Sequence, residues 1–316
     1  MSATQTIPVL DLQTFRASFS QRQAFVQQLG QALEAIGFFA VVNHGVETSL
    51  IQQSYDVAQA FFELPESIKQ RYEKPELHGQ RGFTSFGREH AKDHPAPDLK
   101  EFWHVGRDLS ADSHRALDYP ANLPIAEVPE FYPVMMQLYA QLEACAAELL
   151  RACALYLGEP ENAIADLIQD SDTILRIIHY PPVPSDAHPA SVRSAPHEDI
   201  NLITLLCEAT DDGLELLQRD GAWLPIQAIP GQIIVDSGDM LQHLTNGWLK
   251  STTHRVVNPL GDKTRRFSMP FFVHPRKEVD LTPLPSCVAR TGTRLFPPIT
   301  AGDYLMHRLR EIGLAN

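Results

Sequence analysis

Short apolar runs and helix-like stripes alternate in the first part of the chain. Residues 7–12 form a brief apolar run that predicts a strand. In residues 21–36 apolar side chains recur at helical spacing, which predicts a helix that ends at Gly37. Residues 38–42 are continuously apolar and predict a buried strand, and residues 48–62 predict a second helix.

The middle of the chain combines an irregular region with one long helix. Residues 66–72 follow a proline and predict a third, short helix, because proline is favoured at a helix start. Residues 73–130 are rich in Gly, Pro, His and charged residues and predict loops with short strands. Their least regular part, residues 87–97, is a candidate mobile segment over a site. Residues 131–157 carry one apolar stripe and predict a long packing helix.

After residue 170 the pattern becomes one of short apolar segments separated by turn residues. Asp220-Gly221 and Asn246-Gly247 are typical turn pairs. Short strands at this spacing predict a mainly β protein, a sandwich or closed antiparallel barrel, with flanking α-helices that support the β core. The predicted β segments are residues 173–180, 200–206, 214–217, 223–226, 233–235, 241–244, 254–257 and 266–273.

The composition is that of an ordinary globular chain with an acidic balance. Of 316 residues, 44% are apolar and 21% are charged, and 26 Lys and Arg against 39 Asp and Glu give a formal net charge of −13. We expect no nucleic-acid partner, because phosphate binding needs a basic surface. The four cysteines are widely spaced without a CxxC pair, which argues against a disulfide framework or a zinc ribbon.

Several targeting and nucleotide-binding motifs are missing from the sequence. The first 15 residues lack a charged segment followed by an apolar one, and no apolar run reaches the roughly 18 residues that a membrane helix needs. We therefore expect a cytoplasmic protein with no membrane partner. The absence of a Gly-rich phosphate loop and of GxGxxG, HExxH and GxSxG motifs leaves nucleotide-binding, zincin and α/β-hydrolase functions without support.

Three residues are candidate metal ligands. On a strand, residues i and i+2 point to the same face, so His197 and Asp199 can reach one ion while Glu198 points away. His254 opens a later apolar strand and adds a second imidazole. Two imidazoles and one carboxylate that leave other positions open are typical of non-haem Fe(II) oxygenases, which need those positions for substrate and O₂.

A further pair of residues predicts an anion site. Arg266 and Ser268 share one face of a strand that is otherwise apolar, with Phe267 on the opposite face. An arginine in such a strand needs a buried partner or a ligand. Its guanidinium can bind a carboxylate through two hydrogen bonds, and the serine hydroxyl can add another.

Taken in order, these motifs resemble the isopenicillin N synthase-like family of Fe(II)- and 2-oxoglutarate-dependent dioxygenases. The resemblance runs nearly end to end and includes IPVLD at residues 7–11, the GFF and NHG segments within residues 37–45, and DLKEF at residues 98–102. Its most specific part is the ordered set of His197-x-Asp199, then TNGWLKSTTHRV at residues 245–256, then Arg266-x-Ser268.

The family implies a fold and a domain organisation. The core would be a double-stranded β-helix (jelly roll) with flanking helices, within one oxygenase domain that spans residues 1–316. A helix-rich N-terminal part would cover residues 1–170, the jelly-roll core with the metal site residues 171–280, and a C-terminal extension residues 281–316.

The resemblance also implies roles for individual residues. His197, Asp199 and His254 would hold the catalytic Fe(II). Arg266 and Ser268 would bind the far carboxylate of 2-oxoglutarate, and Tyr180 would lie near this co-substrate. The match around Tyr180 is incomplete, because the plant-type motif has Asn and Cys where this chain has Ile178 and Val183.

The implied reaction uses O₂ and 2-oxoglutarate to oxidise a C–H bond of a small organic substrate. Hydroxylation and desaturation are both outcomes of this chemistry, with succinate and CO₂ as co-products. We expect the enzyme to be a monomer. The carboxylate ligand Asp199 argues against halogenation, because halogenases of the wider superfamily leave this position empty for chloride.

Three alternatives stay open at this point. A 2-oxoglutarate-independent oxidase of the isopenicillin N synthase type would use Arg266 and Ser268 for its own substrate's carboxylate, and succinate formation distinguishes it. A catalytically silent member would bind iron without consuming O₂. A zinc hydrolase is the third, since two histidines and a carboxylate can also hold zinc, although the Arg-x-Ser pair and the β-rich context argue against it.

The motifs do not specify the primary substrate, which could be a carboxylate. Two arginines, Arg81 and Arg88, could meet an acidic group on it. Candidate pocket-wall residues are Phe272, Trp103 and His104. The histidines that we expect to be structural are His44, His179 and His243.

Overall fold

The strands lie mostly where short apolar runs occur in the sequence. The structure, a computed structural model, describes residues 6–77, 79–89, 96–109, 113, 115, 119–183, 185, 187–188, 190–207, 209–227, 229–259 and 264–311. The twelve strands within these residues are β1 (Val9–Asp11), β2 (Phe38–Val42), β3 (Gly82–Thr84), β4 (Glu101–Gly106), β5 (Ile174–Tyr180), β6 (Ser194–His197), β7 (Ile203–Cys207), β8 (Leu214–Leu217), β9 (Trp223–Pro225), β10 (Ile233–Ser237), β11 (His254–Val256) and β12 (Arg266–Val273).

Helices precede, separate and follow the strands along the chain. The seven α-helices in the described part of the chain are α1 (Phe19–Ala35), α2 (Thr48–Phe62), α3 (Glu66–Lys69), α4 (Phe131–Leu157), α5 (Asp239–Leu244), α6 (Pro285–Thr291) and α7 (Ala301–Glu311). Short 3-10 helices lie at Leu12–Arg16, Gln70–Tyr72, Pro75–Leu77 and Ala165–Ile168. None of the described helices is both long enough and apolar enough to cross a bilayer.

The strands form two sheets that face each other. The larger has the order β1-β2-β10-β7-β12-β5-β4-β3, and the smaller has the order β6-β11-β8-β9. β1 and β2 pair in parallel, whereas the other described strand pairs are antiparallel. Apolar side chains of β2 and β10 pack against those of β8 and β9, which joins the sheets through a shared core. The predicted fold class, mainly β with a jelly-roll core and flanking helices, is confirmed.

The longest helix connects the other helices to the larger sheet. α4 packs against α1 and α2 on one side and against β7 and β12 on the other. Its buried residues Leu138, Leu142 and Leu149 belong to the apolar stripe that predicts this helix. Gly158 ends the helix at a φ of 78°, a left-handed conformation that glycine adopts without strain.

An aromatic cluster fills the space between α2 and β4. The ring centroid of Phe61 lies 4.9 Å from that of Trp103 and 5.8 Å from that of Phe83, both in edge-on geometry. Phe131 at the start of α4 lies 5.4 Å from Trp103. Trp103, a candidate pocket-wall residue, is therefore buried in the core instead.

Two predicted segments differ from the structure. Residues 241–244, predicted as a β segment, lie in α5, because the N–H groups of Asp239 and Met240 donate to the carbonyls of residues 199–201 and start a helix there. Four residues are too few for apolar spacing to distinguish a strand from a helix. The predicted helix over residues 66–72 is α-helical only to Lys69 and continues as a 3-10 helix.

Leu142→Ala should lower the free energy of unfolding by about 2–5 kcal/mol, because it removes a fully buried side chain of α4 and leaves a cavity. Gln137→Ala, on the exposed face of the same helix, is the matched control and should change it by at most about 0.5 kcal/mol. Equilibrium unfolding in urea measures both values. Equal effects would contradict the packing of α4 described above.

Candidate functional site

The three candidate metal ligands meet within a few ångströms. Nε2 of His197 lies 3.8 Å from Oδ1 of Asp199, and Nε2 of His254 lies 3.7 Å from the same oxygen. The centroids of the two imidazole rings are 4.4 Å apart. One ligand atom from each residue lies within 4.8 Å of the others, so all three can contact a single ion.

Two features of the backbone bring these residues together. His197, the last residue of β6, is the cross-strand partner of His254, the first residue of β11. Asp199 lies two residues beyond β6, so the expectation that it shares a strand face with His197 is wrong. Its segment packs instead on Gly238, where an added Cβ would lie 2.8 Å from the Asp199 carbonyl oxygen and 2.4 Å from that of Asn201.

Hydrogen bonds fix the orientation of both imidazoles. Nδ1 of His197 lies 2.7 Å from the carbonyl oxygen of Ala195, and Nδ1 of His254 lies 3.2 Å from that of Thr252. Because a carbonyl only accepts, each Nδ1 carries the hydrogen and each Nε2 keeps its lone pair for a metal. The intervening Glu198 accepts a hydrogen bond from a threonine of the adjacent strand segment and stays outside the cluster.

The carboxylate of Asp199 is held on the side away from the imidazoles. Its Oδ2 accepts a hydrogen bond from the Thr204 hydroxyl, which accepts one from Nδ2 of Asn201 at 2.9 Å. Buried Asp236 neighbours this group, and burial together with the charge of Asp199 raises the pKa of Asp236 well above its usual range. Oδ1 of Asp199 therefore faces the two imidazoles.

The protonation state of His197 suits a divalent metal. Loss of hydration around the His197 ring, together with the neighbouring His254, lowers the pKa of His197 to about 4. The ring is therefore neutral at physiological pH, which is the form that binds metals. Two imidazoles and one carboxylate match the donor set of non-haem Fe(II) oxygenases.

A small inner cavity of about 60 Å³ extends from the cluster between the two sheets. Alternate residues of β12 line it, because side chains on one face of a strand repeat every second position. The same holds for Ile178 and Tyr180 of β5. All six candidate site residues line this cavity: His197, Asp199, His254, Arg266, Ser268 and Tyr180.

The guanidinium of Arg266 has a donor to spare. Its Nε donates to the carbonyl oxygen of Asp211 at 3.0 Å, and its Cζ lies 5.1 Å from the centre of the Tyr180 ring. Nη1 is buried without a hydrogen-bond partner among the described residues. An unpaired buried donor costs about 1–3 kcal/mol, so a carboxylate at this position would remove an unfavourable feature of the free protein.

A larger outer cavity of about 360 Å³ reaches the cluster at His197 and Asp199. Two of the candidate pocket-wall residues lie at a cavity: Phe272 lines both cavities and His104 lines the outer one. Residues 90–95 of the candidate mobile segment lie outside the described residues, and the preceding Glu89 lines this cavity.

Two predicted substrate contacts lie outside both cavities. Arg81 donates to the carbonyl of Pro120 at 3.1 Å, and Arg88 lies 3.4 Å from the carboxylate of Glu73. Neither arginine lines the inner or the outer cavity. The histidines expected to be structural do form hydrogen bonds outside the cluster: His44, His179 and His243.

Sequence reasoning missed the two cations that join the cavities. Lys100 and Arg176 line both of them. Arg176 lies on the same face of β5 as Tyr180, so the argument applied to Arg266, a charge in an apolar strand, could have identified it. Thr204 carries no signal in the sequence, because only the folded chain places it against Asp199.

Comparison with known proteins places this geometry in a family. Residues 7–126 match the model described as non-haem dioxygenase in morphine synthesis N-terminal, and residues 171–275 match the model of the 2OG-Fe(II) oxygenase superfamily. A 2-oxoglutarate-Fe(II) type oxidoreductase from Aspergillus fumigatus is 32% identical over 281 residues, which cover 86% of this chain and 83% of that protein.

Solved structures give the same result. A 2OG-Fe(II) oxygenase family protein from Caulobacter crescentus superposes with a TM-score of 0.87 at 38% identity, covering 98% of this chain and 99% of that one. A full-length protein from Neurospora crassa, solved in complex with α-KG (2-oxoglutarate), superposes with a TM-score of 0.86 at 26% identity, covering 98% and 97% of the two chains.

Thr204→Val should weaken Fe(II) binding by about 10- to 100-fold, because it removes the hydrogen bond that orients Asp199 while preserving side-chain volume. Thr282→Val is the matched control, since it also removes a hydroxyl bonded to an aspartate, Asp280, but lies away from both cavities. Anaerobic Fe(II) titration measures both affinities. Unchanged affinity in Thr204→Val would show that this bond does not position the ligand.

Proposed function

The chain belongs to the 2OG-Fe(II) oxygenase superfamily, and on that basis we propose that His197, Asp199 and His254 are the ligands of its catalytic iron. The protein is an Fe(II)- and 2-oxoglutarate-dependent dioxygenase, an oxidoreductase. The observation that most supports the residue assignment is the convergence of three ligand atoms within 4.8 Å. Both Nε2 atoms keep a free lone pair there, because each Nδ1 is bonded to a carbonyl.

We further assign Arg266, Ser268 and Tyr180 to 2-oxoglutarate. All three line the inner cavity that begins at the cluster. Arg266 and Ser268 would hold the carboxylate farther from the metal, where the buried Nη1 of Arg266 lacks a partner among the described residues. The Tyr180 ring packs against the Arg266 guanidinium and limits its movement. The site therefore fits both the metal and the co-substrate.

Bound Fe(II), 2-oxoglutarate and O₂ together supply the oxidant that attacks a C–H bond, with succinate and CO₂ as co-products. The protein's own residues orient the reactants and exclude water. Phe38, Leu214 and Val256 give the inner cavity an apolar wall that keeps water from the buried charges. The outer cavity is large enough to hold a small organic substrate beside His197 and Asp199.

A small-molecule substrate is supported by a structural neighbour. The Neurospora crassa protein has also been solved with α-KG and thymine, at 25% identity to this chain. The 2-oxoglutarate-independent oxidase is not favoured, because the relatives are named for 2-oxoglutarate and a neighbour binds it. Neither a zinc hydrolase nor a silent scaffold gains support from these comparisons.

The proposal extends to the family branch, the domain organisation, the location and the oligomeric state of the protein. We place the chain in the isopenicillin N synthase-like branch and treat residues 1–316 as one oxygenase domain, with parts at 1–170, 171–280 and 281–316. One continuous core, which joins α1, α2 and α4 to the larger sheet, supports this organisation. We also propose that the enzyme works as a cytoplasmic monomer, since one chain supplies every residue of the proposed site. Light scattering after gel filtration tests the monomer.

Asp199→Ala should abolish the visible charge-transfer band that forms when 2-oxoglutarate chelates enzyme-bound Fe(II), because the metal loses the one carboxylate among its three proposed ligands. Asp212→Ala, an exposed aspartate, is the control and should keep the band. Anaerobic titration measures the band, and succinate is assayed after air is admitted. Iron binding by the wild type without a band or succinate would contradict the proposed function.

Arg266→Ala should raise the 2-oxoglutarate concentration needed for half-saturation by about 10- to 100-fold, because it removes a charge-assisted hydrogen bond. Arg265→Ala is the matched control: its neighbouring guanidinium is about half exposed and pairs with Glu63, so affinity should stay the same. The anaerobic titration reports both values. Equal affinity in the two variants would remove Arg266 from the co-substrate site.

A further inference from the structure

One guanidinium stands between the two cavities. Arg176 of β5 lines both the inner cavity and the outer cavity. It shares a strand face with Ile178 and Tyr180, whose side chains line the inner cavity. Arg176 is therefore placed to contact a molecule in the outer cavity without belonging to the set assigned to 2-oxoglutarate.

Contacts with four residues hold the Arg176 side chain in place. Its Nε donates to Nε2 of His104 at 2.6 Å, and its Nη1 lies 3.1 Å from each carboxylate oxygen of Glu89. Its Cζ lies 4.3 Å from the centre of the Phe102 ring and 5.2 Å from that of Phe272. A guanidinium fixed in this way loses little side-chain entropy when it binds a ligand.

One edge of this guanidinium is left for a ligand. Nη2 of Arg176 has no partner among the residues that the structure describes. Nδ1 of His274, another residue of this cavity, also lacks a hydrogen-bond partner in the described chain, but this atom is buried and not exposed in the cavity. Nη2 of Arg176 is therefore the preformed polar contact that the outer cavity offers to a ligand.

The charges around the outer cavity are already balanced. Its described acidic side chains, apart from the metal ligand Asp199, are Glu89, Asp98 and Glu198, and its basic ones are Lys100, Arg176 and Arg308. These formal charges sum to zero. Burial, together with the charge of Arg176, lowers the pKa of His104 well below its usual range, and burial lowers that of His274 to about 4, so both imidazoles are neutral.

Lys100 and Arg176 are paired with acidic side chains of this cavity, whereas Arg308 pairs with Asp239 and Glu311 outside it. Nζ of Lys100 lies 2.7 Å from Glu89 and 2.8 Å from Asp98, and Glu89 also holds Arg176. An anionic ligand at Nη2 would add an uncompensated negative charge next to the buried Glu89 carboxylate. That repulsion is strong where the effective dielectric constant is low. A neutral oxygen acceptor would bind without this cost.

We infer that the primary substrate is an uncharged molecule whose carbonyl-type oxygen accepts a hydrogen bond from Nη2 of Arg176. This inference rests on the proposed function. This replaces the expectation of an acidic group at Arg81 or Arg88. Glu89 sets the preference for a neutral ligand over an anionic one. Its carboxylate balances the charge of Arg176 and leaves Nη2 free to donate a hydrogen bond.

The test compares matched amides and acids on the full chain loaded anaerobically with Fe(II) and saturating 2-oxoglutarate. The probes are benzamide against benzoate and the smaller pair acetamide against acetate. Calorimetric titration should show at least one amide binding at least tenfold more tightly than its acid. Arg176→Gln should weaken amide binding at least tenfold, whereas Arg88→Gln, the exposed control, should not change it.

Glu89→Gln is a second test variant, and it should shift the preference from the amides towards the acids. Removing this carboxylate leaves a net positive cavity, so the ratio of amide to acid affinity should fall at least tenfold. If this variant does not fold, the Arg176→Gln comparison decides alone. Tighter binding of the acids to the wild type, binding of neither pair, or amide binding unaffected by Arg176→Gln would each overturn the inference.

The two proposals fail in different ways. Absence of the charge-transfer band from the wild type would contradict the proposed function. A normal band together with acid preference, or with no probe binding, would leave the proposed function intact and remove only the assignment of Arg176 and its neutral ligand.

Discussion

The site depends on one constraint: the candidate ligating atoms of the 197–199 segment must meet the imidazole of His254, which lies more than fifty residues later in the sequence. Pairing of β6 with β11 places His197 directly opposite His254. Asp199, beyond the end of its strand, is positioned by backbone contact with the segment that starts at Gly238. No side chain larger than hydrogen fits at that contact without displacing the Asp199 and Asn201 carbonyls. The local geometry of the cluster thus rests on sheet register and on one close backbone approach.

Two cavities meet at this cluster, and their surroundings suit ligands of different charge. The inner one lies between the sheets and ends at Arg266, whose unpaired donor suits a carboxylate. The outer one is larger and carries balanced charge, with Arg176 held by Glu89 on the wall that both share. Two arginines on neighbouring strands therefore face different surroundings, and their ligands should differ in charge accordingly.

Sequence analysis predicted the fold class and most elements, because periodicity and turn residues are local signals. It also selected His197, Asp199 and His254 as candidate metal ligands through their spacing and order, and the fold brings these three residues together. It misassigned residues 241–244, whose helix starts only because carbonyls some forty residues earlier accept its first N–H groups. It missed Arg176 as well, since the partners that make this guanidinium a binding group come from elsewhere in the fold. Local patterns predict elements and ligands, whereas the charge balance of a cavity emerges only in three dimensions.

The pairing of His197 with His254 has a consequence for folding. β6 is an edge strand of the smaller sheet, held on one side by β11. An ion bound to both histidines would tie these strands together as a cross-link does, and its binding free energy would add to the local stability of that edge. Metal occupancy and fraying of the sheet edge then become linked equilibria. Iron in this enzyme would then stabilise the sheet edge in addition to its role in the reaction. Its loss would favour local unfolding of β6, which carries His197.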